Sequence, residues 1–352
     1  SDLEAGLKTV EMYLVSASGQ EAKGTINLSG EKEYTFDEMI NYKEGDRGFK
    51  VKAEDTYGYI TISTLPVTYK TIPGPSLTLT ESAIFAGTDA KKGVSMQIES
   101  VRGVHEVVIY RIENGAEVEA LRETRSGEHT LNYAPEIDFT EATSKLKVVV
   151  SDGREGKEAT GYVKAYVNME VATLNVGSQP LANNAHEKYP DAFGMVSLND
   201  LKTYSVDYAI ANEANAKNID FKFYCFGAAG TPRLYSMDNT GKDSEFSGST
   251  GKLSAIKVKN LTRFAILSNF DYENATVTSI SSEILSSSIT QSLLDPIAVG
   301  NIIAFRTGSS STAGGGRIGV MKVINITEPK DLVSNNATAR VMTVEIKFPQ
   351  KK

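Results

Sequence analysis

Three histidines and one cysteine supply the chain's usual bases, nucleophiles and soft metal ligands: His105, His129, His186 and Cys225. His186 opens His-Glu-Lys-Tyr-Pro, which lacks the second imidazole of the zinc pattern His-Glu-x-x-His, so it reads as a solvated loop residue. A Ser-His-Asp hydrolase would need one of these histidines and a Gly-x-Ser-x-Gly elbow, and the chain has no such elbow. Cys225 lies in Ile219-Asp-Phe-Lys-Phe-Tyr-Cys-Phe, a strand whose alternation puts Phe221, Phe223 and Cys225 on one face. A thiol in that company is a buried apolar group, and a single cysteine allows neither an intrachain disulfide nor a cysteine-based zinc site.

Oxygen chemistry is more plentiful. Among 44 acidic residues a carboxylate pair for glycoside hydrolysis is conceivable, but no spacing singles one out. Asp238-Asn-Thr-Gly-Lys-Asp243 places oxygen ligands at short intervals, so Asp238 and Asp243 are Ca²⁺ candidates, although the twelfth-position Glu of an EF-hand loop is missing. The alternative is a polar loop tip. Residues 227–252 are rich in Gly, Ser, Thr and Asp and read as a long exposed loop. Within it Arg233, Tyr235 and Asp238 form a candidate ligand-binding patch, a flat ring for sugar stacking flanked by polar groups. The competing expectation is that Tyr235 packs on a sheet edge. Trp is absent, and 16 Tyr partly make up for it. Asp55 and Asp152 sit where turns are expected and read as turn formers. There is no phosphate-binding loop, and Gly314-Gly-Gly-Arg-Ile-Gly319 crosses a hairpin instead of a strand-to-helix turn, so no cofactor is implied.

Charge narrows the partners. Lys and Arg total 37 against 44 acidic residues, a formal charge of −7, with no basic run. That balance argues against nucleic acid and anionic lipid surfaces. No stretch approaches the ~18 apolar residues that span a bilayer. The chain opens Ser1-Asp2-Leu3-Glu4 without a signal peptide, so it is either cytosolic or has lost its leader.

The elements that must position these groups are strands. At 352 residues two or three domains are expected. Val10-Glu-Met-Tyr13 and Val107-Val-Ile-Tyr110 lie 97 residues apart, and the same offset aligns Gly30 with Gly127, Ile40 with Ile137, Asp55 with Asp152 and Tyr69 with Tyr166. It also aligns Phe49-Lys-Val with Leu146-Lys-Val. These are two copies of one β domain. The second copy's opening strands, from Pro75, have no counterpart after residue 1. The first copy is therefore a shortened sandwich with a bare edge, or its natural chain extends upstream. After residue 169 the repeat stops. Helices are expected after the N-cap Ser205 and over Ser282–Leu294, where Leu285, Ile289 and Leu293 recur at helical spacing. Strands are expected at 171–176, 192–197, 219–226, 299–306, 317–324 and 339–348. The predicted architecture is all-β: two tandem Ig-like β-sandwich domains (1–74, lacking its first strands, and 75–168), then a larger β-sandwich with short helices (169–352).

The runs Phe49-Lys-Val-Lys-Ala-Glu-Asp and Leu146-Lys-Val-Val-Val-Ser-Asp resemble the Ig-like modules of bacterial surface lipoproteins associated with outer-membrane glycan-uptake systems. The stretches Tyr204-Ser-Val-Asp-Tyr-Ala, Ile219-Asp-Phe-Lys-Phe-Tyr, Arg263-Phe and the Val299/Arg317 strand pair are similar to the C-terminal domain of such proteins. The resemblance implies an extracellular protein at the outer membrane, anchored by a lipid on a cysteine upstream of residue 1. The tandem repeat followed by one asymmetric, loop-rich domain reads as a non-catalytic protein, with Ig-like spacers presenting a last domain that binds a polysaccharide or a cell-surface protein. The alternatives are a structural adhesin or assembly stalk without a small ligand, and a carbohydrate-active enzyme.

Overall fold

The structure, a computed structural model, describes residues 5–37, 39–43, 45–68, 71–328, 331–333 and 336–351. Tyr69, one half of the Tyr69/Tyr166 match, lies outside them. The chain divides into two compact units, Ser1–Pro73 and Gly74–Lys352.

The first unit is one antiparallel sheet of β1 (Leu7–Ser16), β2 (Gly19–Glu31), β3 (Asp46–Asp55) and β4 (Ile60–Pro66), in the order β2-β1-β3-β4. Alternation along β1 buries Val10, Met12 and Leu14. Phe36, Ile40 and Tyr42, from the segment after β2, fold over Val10, Met12 and Phe49, with the Phe36 ring stacked 5.8 Å from that of Phe49. Asp55 turns β3 into β4, its Oδ1 accepting the Tyr57 and Tyr59 amides at 2.9 Å each.

The second copy comprises β5 (Ser76–Leu79), β6 (Ala83–Ala86), β7 (Lys92–Gly93), β8 (Met96–Glu99), β9 (Glu106–Glu113), β10 (Ala116–Thr124), β11 (Thr130–Tyr133), β12 (Glu136–Ile137), β13 (Thr143–Ser151) and β14 (Glu158–Val167). One sheet runs β10-β9-β13-β14-β6, with β6 parallel to β14, and it faces a second sheet, β11-β8-β5. The layers close on Val94, Ile98, Val107, Ile109, Leu146, Val148 and Val163. This is an Ig-like sandwich.

The duplication survives in detail. The sheet β2-β1-β3-β4 repeats as β10-β9-β13-β14. A Cβ on Gly6 would sit 2.0 Å from the Gly30 carbonyl oxygen, and a Cβ on Gly103 would sit 2.2 Å from that of Gly127, a paired close approach at the 97-residue offset. The difference is the second layer. The first copy has no counterpart of β5, β6 or β8 among the described residues. Residues 33–36, at the place of β11, pair with no strand.

Residues 169–351 build a second sandwich. One sheet is β15 (Met169–Gly177), β24 (Val341–Pro349), β23 (Ile318–Ile326), β22 (Ile302–Arg306) and β20 (Arg263–Leu267). The other is β17 (Lys202–Tyr204), β16 (Met195–Ser197), β18 (Phe221–Phe226), β19 (Thr231–Ser236) and β21 (Leu293–Leu294). Between them lie Phe221, Phe223, Leu234, Phe264, Phe305, Val344 and Phe348. Each outer face is also covered. Helices α1 (Val206–Ala211) and α2 (Glu213–Lys217) pack with Tyr224, Tyr235, Phe246 and Leu253, and α3 (Val277–Glu283) packs with Tyr272, Ile289 and Val320. Ser205 caps α1 as expected, its hydroxyl accepting the Tyr208 amide at 3.1 Å.

Two expectations are corrected. The stretch 227–252 is not one exposed loop. It turns back at once through Gly227 and Gly230, with φ of 67° and 61°, and forms β19, which pairs along β18 from Phe221↔Ser236 to Phe226↔Thr231. Beyond β19 the fully buried Phe246 and Leu253 pin what remains to the sheet. Two apolar anchors outweigh a polar composition. The helix expected over Ser282–Leu294 lies earlier instead, at α3. A capping box between Thr276 and Ser279 starts it, and the serine run 286–288 carries only a 3₁₀ turn. Leu285, placed on the apolar stripe by its spacing, is 68% exposed, whereas Ile289 is buried.

Candidate functional site

Of the residues singled out by sequence, Arg233 and Tyr235 meet, Arg233 Nη1 donating to the Tyr235 hydroxyl at 3.5 Å, whereas Asp238 and Asp243 are engaged by other partners. Arg233 pairs with Asp295 at 2.7 Å and stacks on Phe226, 3.9 Å from the ring centroid. Tyr235 is 4% exposed and meets Tyr224 edge-on at 5.6 Å, so its ring is not the open platform expected. Asp238 is gripped by both Arg263 terminal nitrogens at 2.9 and 2.8 Å, which hold its carboxyl below the usual range against the opposing effect of burial. Asp243 is buried and accepts from Lys222 Nζ at 2.7 Å and from Lys259. The Ca²⁺ expectation is corrected on the same ground, because ammonium and guanidinium groups already occupy both carboxylates. Among the described residues no three His, Cys, Asp or Glu groups converge on a metal position.

His105 and His129 are exposed, and the 97-residue offset sets them against Lys8 and Lys32 of the first copy. His186 is half-buried, not solvated, and its Nε2 lies 3.0 Å from the Leu332 carbonyl oxygen. Burial pushes the Cys225 thiol up to about 12, far from a thiolate nucleophile. Asp220 is the carboxyl that burial raises, to about 7. It is sealed from solvent, its Oδ2 accepting the Leu198 amide at 2.8 Å.

A more open site lies where the second Ig-like domain meets the last domain. A polar cleft of about 370 Å³ runs between Asn114, Ser144 and Lys145 on one side and Asp271, Asn274 and Glu283 on the other. Local chemistry shapes both walls. Asn114 and Gly115, with φ of 50° and 84°, make the two-residue turn between β9 and β10. Asp271 accepts the Asn274 amide at 3.2 Å and its side-chain Nδ2 at 2.8 Å, and these bonds hold its carboxyl low. The Thr276 cap then starts α3, which ends on Glu283.

The junction beneath the cleft is tied by charge and by a wedge of rings. Glu273 accepts from Lys164 at 3.0 Å and from Lys322 at 2.8 Å, and the two lysines pull its carboxyl down to about 2. Asn168, between β14 and β15, reaches Glu141 at 3.0 Å. Tyr166 packs against the group containing Met169 and Tyr272.

Beside the cleft, the solvent face of the β9-β13-β14 sheet carries a row across three strands, in which Lys147 lies opposite both Tyr110 and Tyr162. Tyr162 is 58% exposed, and Lys145 Nζ, from the cleft wall, lies 5.6 Å from its ring centroid. Such a site offers charged acceptors, amide and ammonium donors, and an open ring. It offers no nucleophile with a base: Ser144 Oγ donates to the Ile112 carbonyl at 3.2 Å, and Ser279 Oγ is engaged in the helix cap. No short-range motif marks this site, because its walls are more than 120 residues apart in the chain. The local signals were the Asn114-Gly115 turn and the Asp271-x-x-Asn274 turn, neither of which names a partner wall.

No family model and no curated protein matches the chain. Among solved structures, a chain of the Dpr2 Ig1-Ig2 complex with DIP-Theta Ig1-Ig3 is similar over 45% of this chain and 54% of its own, at 9% identity and a TM-score of 0.21. The match thus spans about half of that neighbour's length. A chimeric titin Z1Z2-Z1Z2 tandem matches over 45% of this chain and 83% of its own, at 13% identity and a TM-score of 0.20. Escherichia coli alpha-2-macroglobulin activated by porcine elastase matches over 99% of this chain and 29% of its own, at 10% identity and a TM-score of 0.21. Likeness at this level does not extend to function. Among the described residues no helix is long and apolar enough to cross a membrane.

Proposed function

We propose that this is a non-catalytic, extracellular binding protein that takes a glycan at the cleft between its second Ig-like domain and its last domain. The cleft supports this reading best. It combines acceptors on Asp271 and Glu283 with donors on Asn114, Lys145 and Asn274, and it adjoins the open Tyr162 ring. A polyhydroxylated ligand needs both hydrogen-bond senses and a flat apolar face, and this wall supplies them. Glycoside hydrolysis would need a carboxylic acid kept protonated near neutral pH. Asp271 is held in the opposite direction, and the raised Asp220 is sealed away from solvent. Attachment to an outer membrane through an upstream lipid belongs to the same proposal and rests on the resemblance of the Ig-like runs alone. The binding reading is tested by affinity electrophoresis of the whole chain through gels containing soluble polysaccharides. Retardation by at least one neutral glycan, lost on changing Tyr162, is expected. Unaltered mobility throughout the panel would turn the reading toward a protein partner at the same face.

A further inference from the structure

The cleft has a neighbour. Glu283, the last residue of α3, lines both the cleft and a second cavity of about 540 Å³. The two cavities share their walls. In the turn after β20, Phe270 lines the second cavity and Asp271 the cleft. Along the helix, Ser279 lines the cleft, and Ile284, just past the helix end, lines the second cavity. Each volume lies within the roughly 300–1,000 Å³ of a small-molecule site.

The second cavity is built for hydroxyls and has no cation. One wall is β20, the outer strand of its sheet. Phe264 exchanges both backbone bonds with Gln291, at 2.8 and 3.1 Å. Period two turns the amide and carbonyl of Ile266 to the same edge, where no further strand pairs among the described residues. Asn269 and Gln291 are exposed, and each side-chain amide supplies donors and an acceptor. Ile266, 47% exposed, adds an apolar patch. Among the described residues Glu283 is the sole charged group in this lining.

We propose that the cleft and the second cavity form one groove, and that its ligand is a neutral glycan chain long enough to lie across Glu283 and fill both. This deepens the glycan reading of the cleft and rests on it. A single sugar would leave the second set of donors and acceptors unused. A chain bearing uronate or sulfate would bring its charge to Glu283 with no cation in the second cavity to meet it.

The test takes the whole chain through gels containing neutral polysaccharides (a starch, a xylan, a mannan, a β-glucan) or acidic ones (an alginate, a pectate). Oligosaccharides graded from the disaccharide upward, cut from a polysaccharide that retards it, are then titrated by calorimetry. Oligosaccharides that reach the second cavity should bind about tenfold more tightly than the disaccharide, the effect of two added hydrogen bonds. The double variant Asn269→Ala, Gln291→Ala should lose that gain and keep the wild-type affinity for the disaccharide. Equal affinity at every length, a gain that persists in the double variant, or retardation by the acidic polysaccharides equal to that by the neutral ones overturns the proposal and leaves the cleft reading standing. Absence of binding to every glycan overturns both.

Discussion

Lys347 Nζ donates to the Tyr272 carbonyl at 2.6 Å and sits 4.5 Å from that residue's own ring centroid, with no solvent access. Burial depresses its pKa to about 8 from an ordinary 10.5. Between those values the unfolded chain holds a proton that the folded protein has released. Stability therefore rises with pH across the window, by about 3 kcal/mol in all. Lys347→Met should flatten the rise. Denaturant midpoints at pH 8 and pH 9.5 would show it, and an equal slope in both proteins would count against the assignment.

Asp220 has the opposite sign. The folded protein keeps its proton up to about 7, whereas the unfolded chain releases it near 3.8, so stability is lost as pH rises through that range. Asp220→Asn should match the wild type near pH 4 and melt higher at pH 8. A variant less stable at pH 8 would show that the carboxylate is ionised and well compensated.

Lys222 and Asp243 form a buried pair with 0% and 2% of their side chains exposed. Asp243→Ala leaves Lys222 without its carboxylate and should cost about 3–5 kcal/mol. Adding Lys222→Met should restore much of that loss in a chemical denaturation series.

The duplicated glycine contact gives a contrast at matched backbone. Gly103 and Gly115 have φ of 88° and 84°, but a Cβ on the first meets the Gly127 carbonyl whereas one on the second meets nothing within 4 Å. Gly115→Ala should cost about 1 kcal/mol of left-handed strain. Gly103→Ala should cost several times more, read as the shift in thermal midpoint.

At the cleft, Tyr162→Ala and Asp271→Ala should each weaken glycan binding about tenfold, the effect of losing a stacking ring or a charged hydrogen bond. Tyr162 is exposed, so its variant should melt as the wild type does, whereas Asp271→Ala also loses the turn bonds to Asn274 and should melt slightly lower. Calorimetric titration with the glycan identified by gel retardation would check this.

What could be read from the sequence was periodic or duplicated. The 97-residue repeat foretold the shared sheet order, and the alternation in Phe221, Phe223 and Cys225 foretold their burial, because both patterns are local consequences of strand geometry. The β19 strand was hidden because Thr-Pro-Arg-Leu-Tyr-Ser contains a proline and too few apolar residues to show alternation, and its partner β18 decides the matter. α3 was displaced because its start is set by the hydroxyl exchange of Thr276 and Ser279, a weaker signal than the leucine spacing that follows. The cleft was not legible at all, since no residue in either wall carries information about the other.

Cys225 leaves the molecule chemically silent. Its thiol is fully enclosed, and burial keeps it protonated at neutral pH. A maleimide or spin label should pass over the folded wild type. A cysteine newly introduced at an exposed position, such as Ser281→Cys on α3, would then be the sole reactive handle, ready for fluorescence or paramagnetic readout without first engineering away a native thiol.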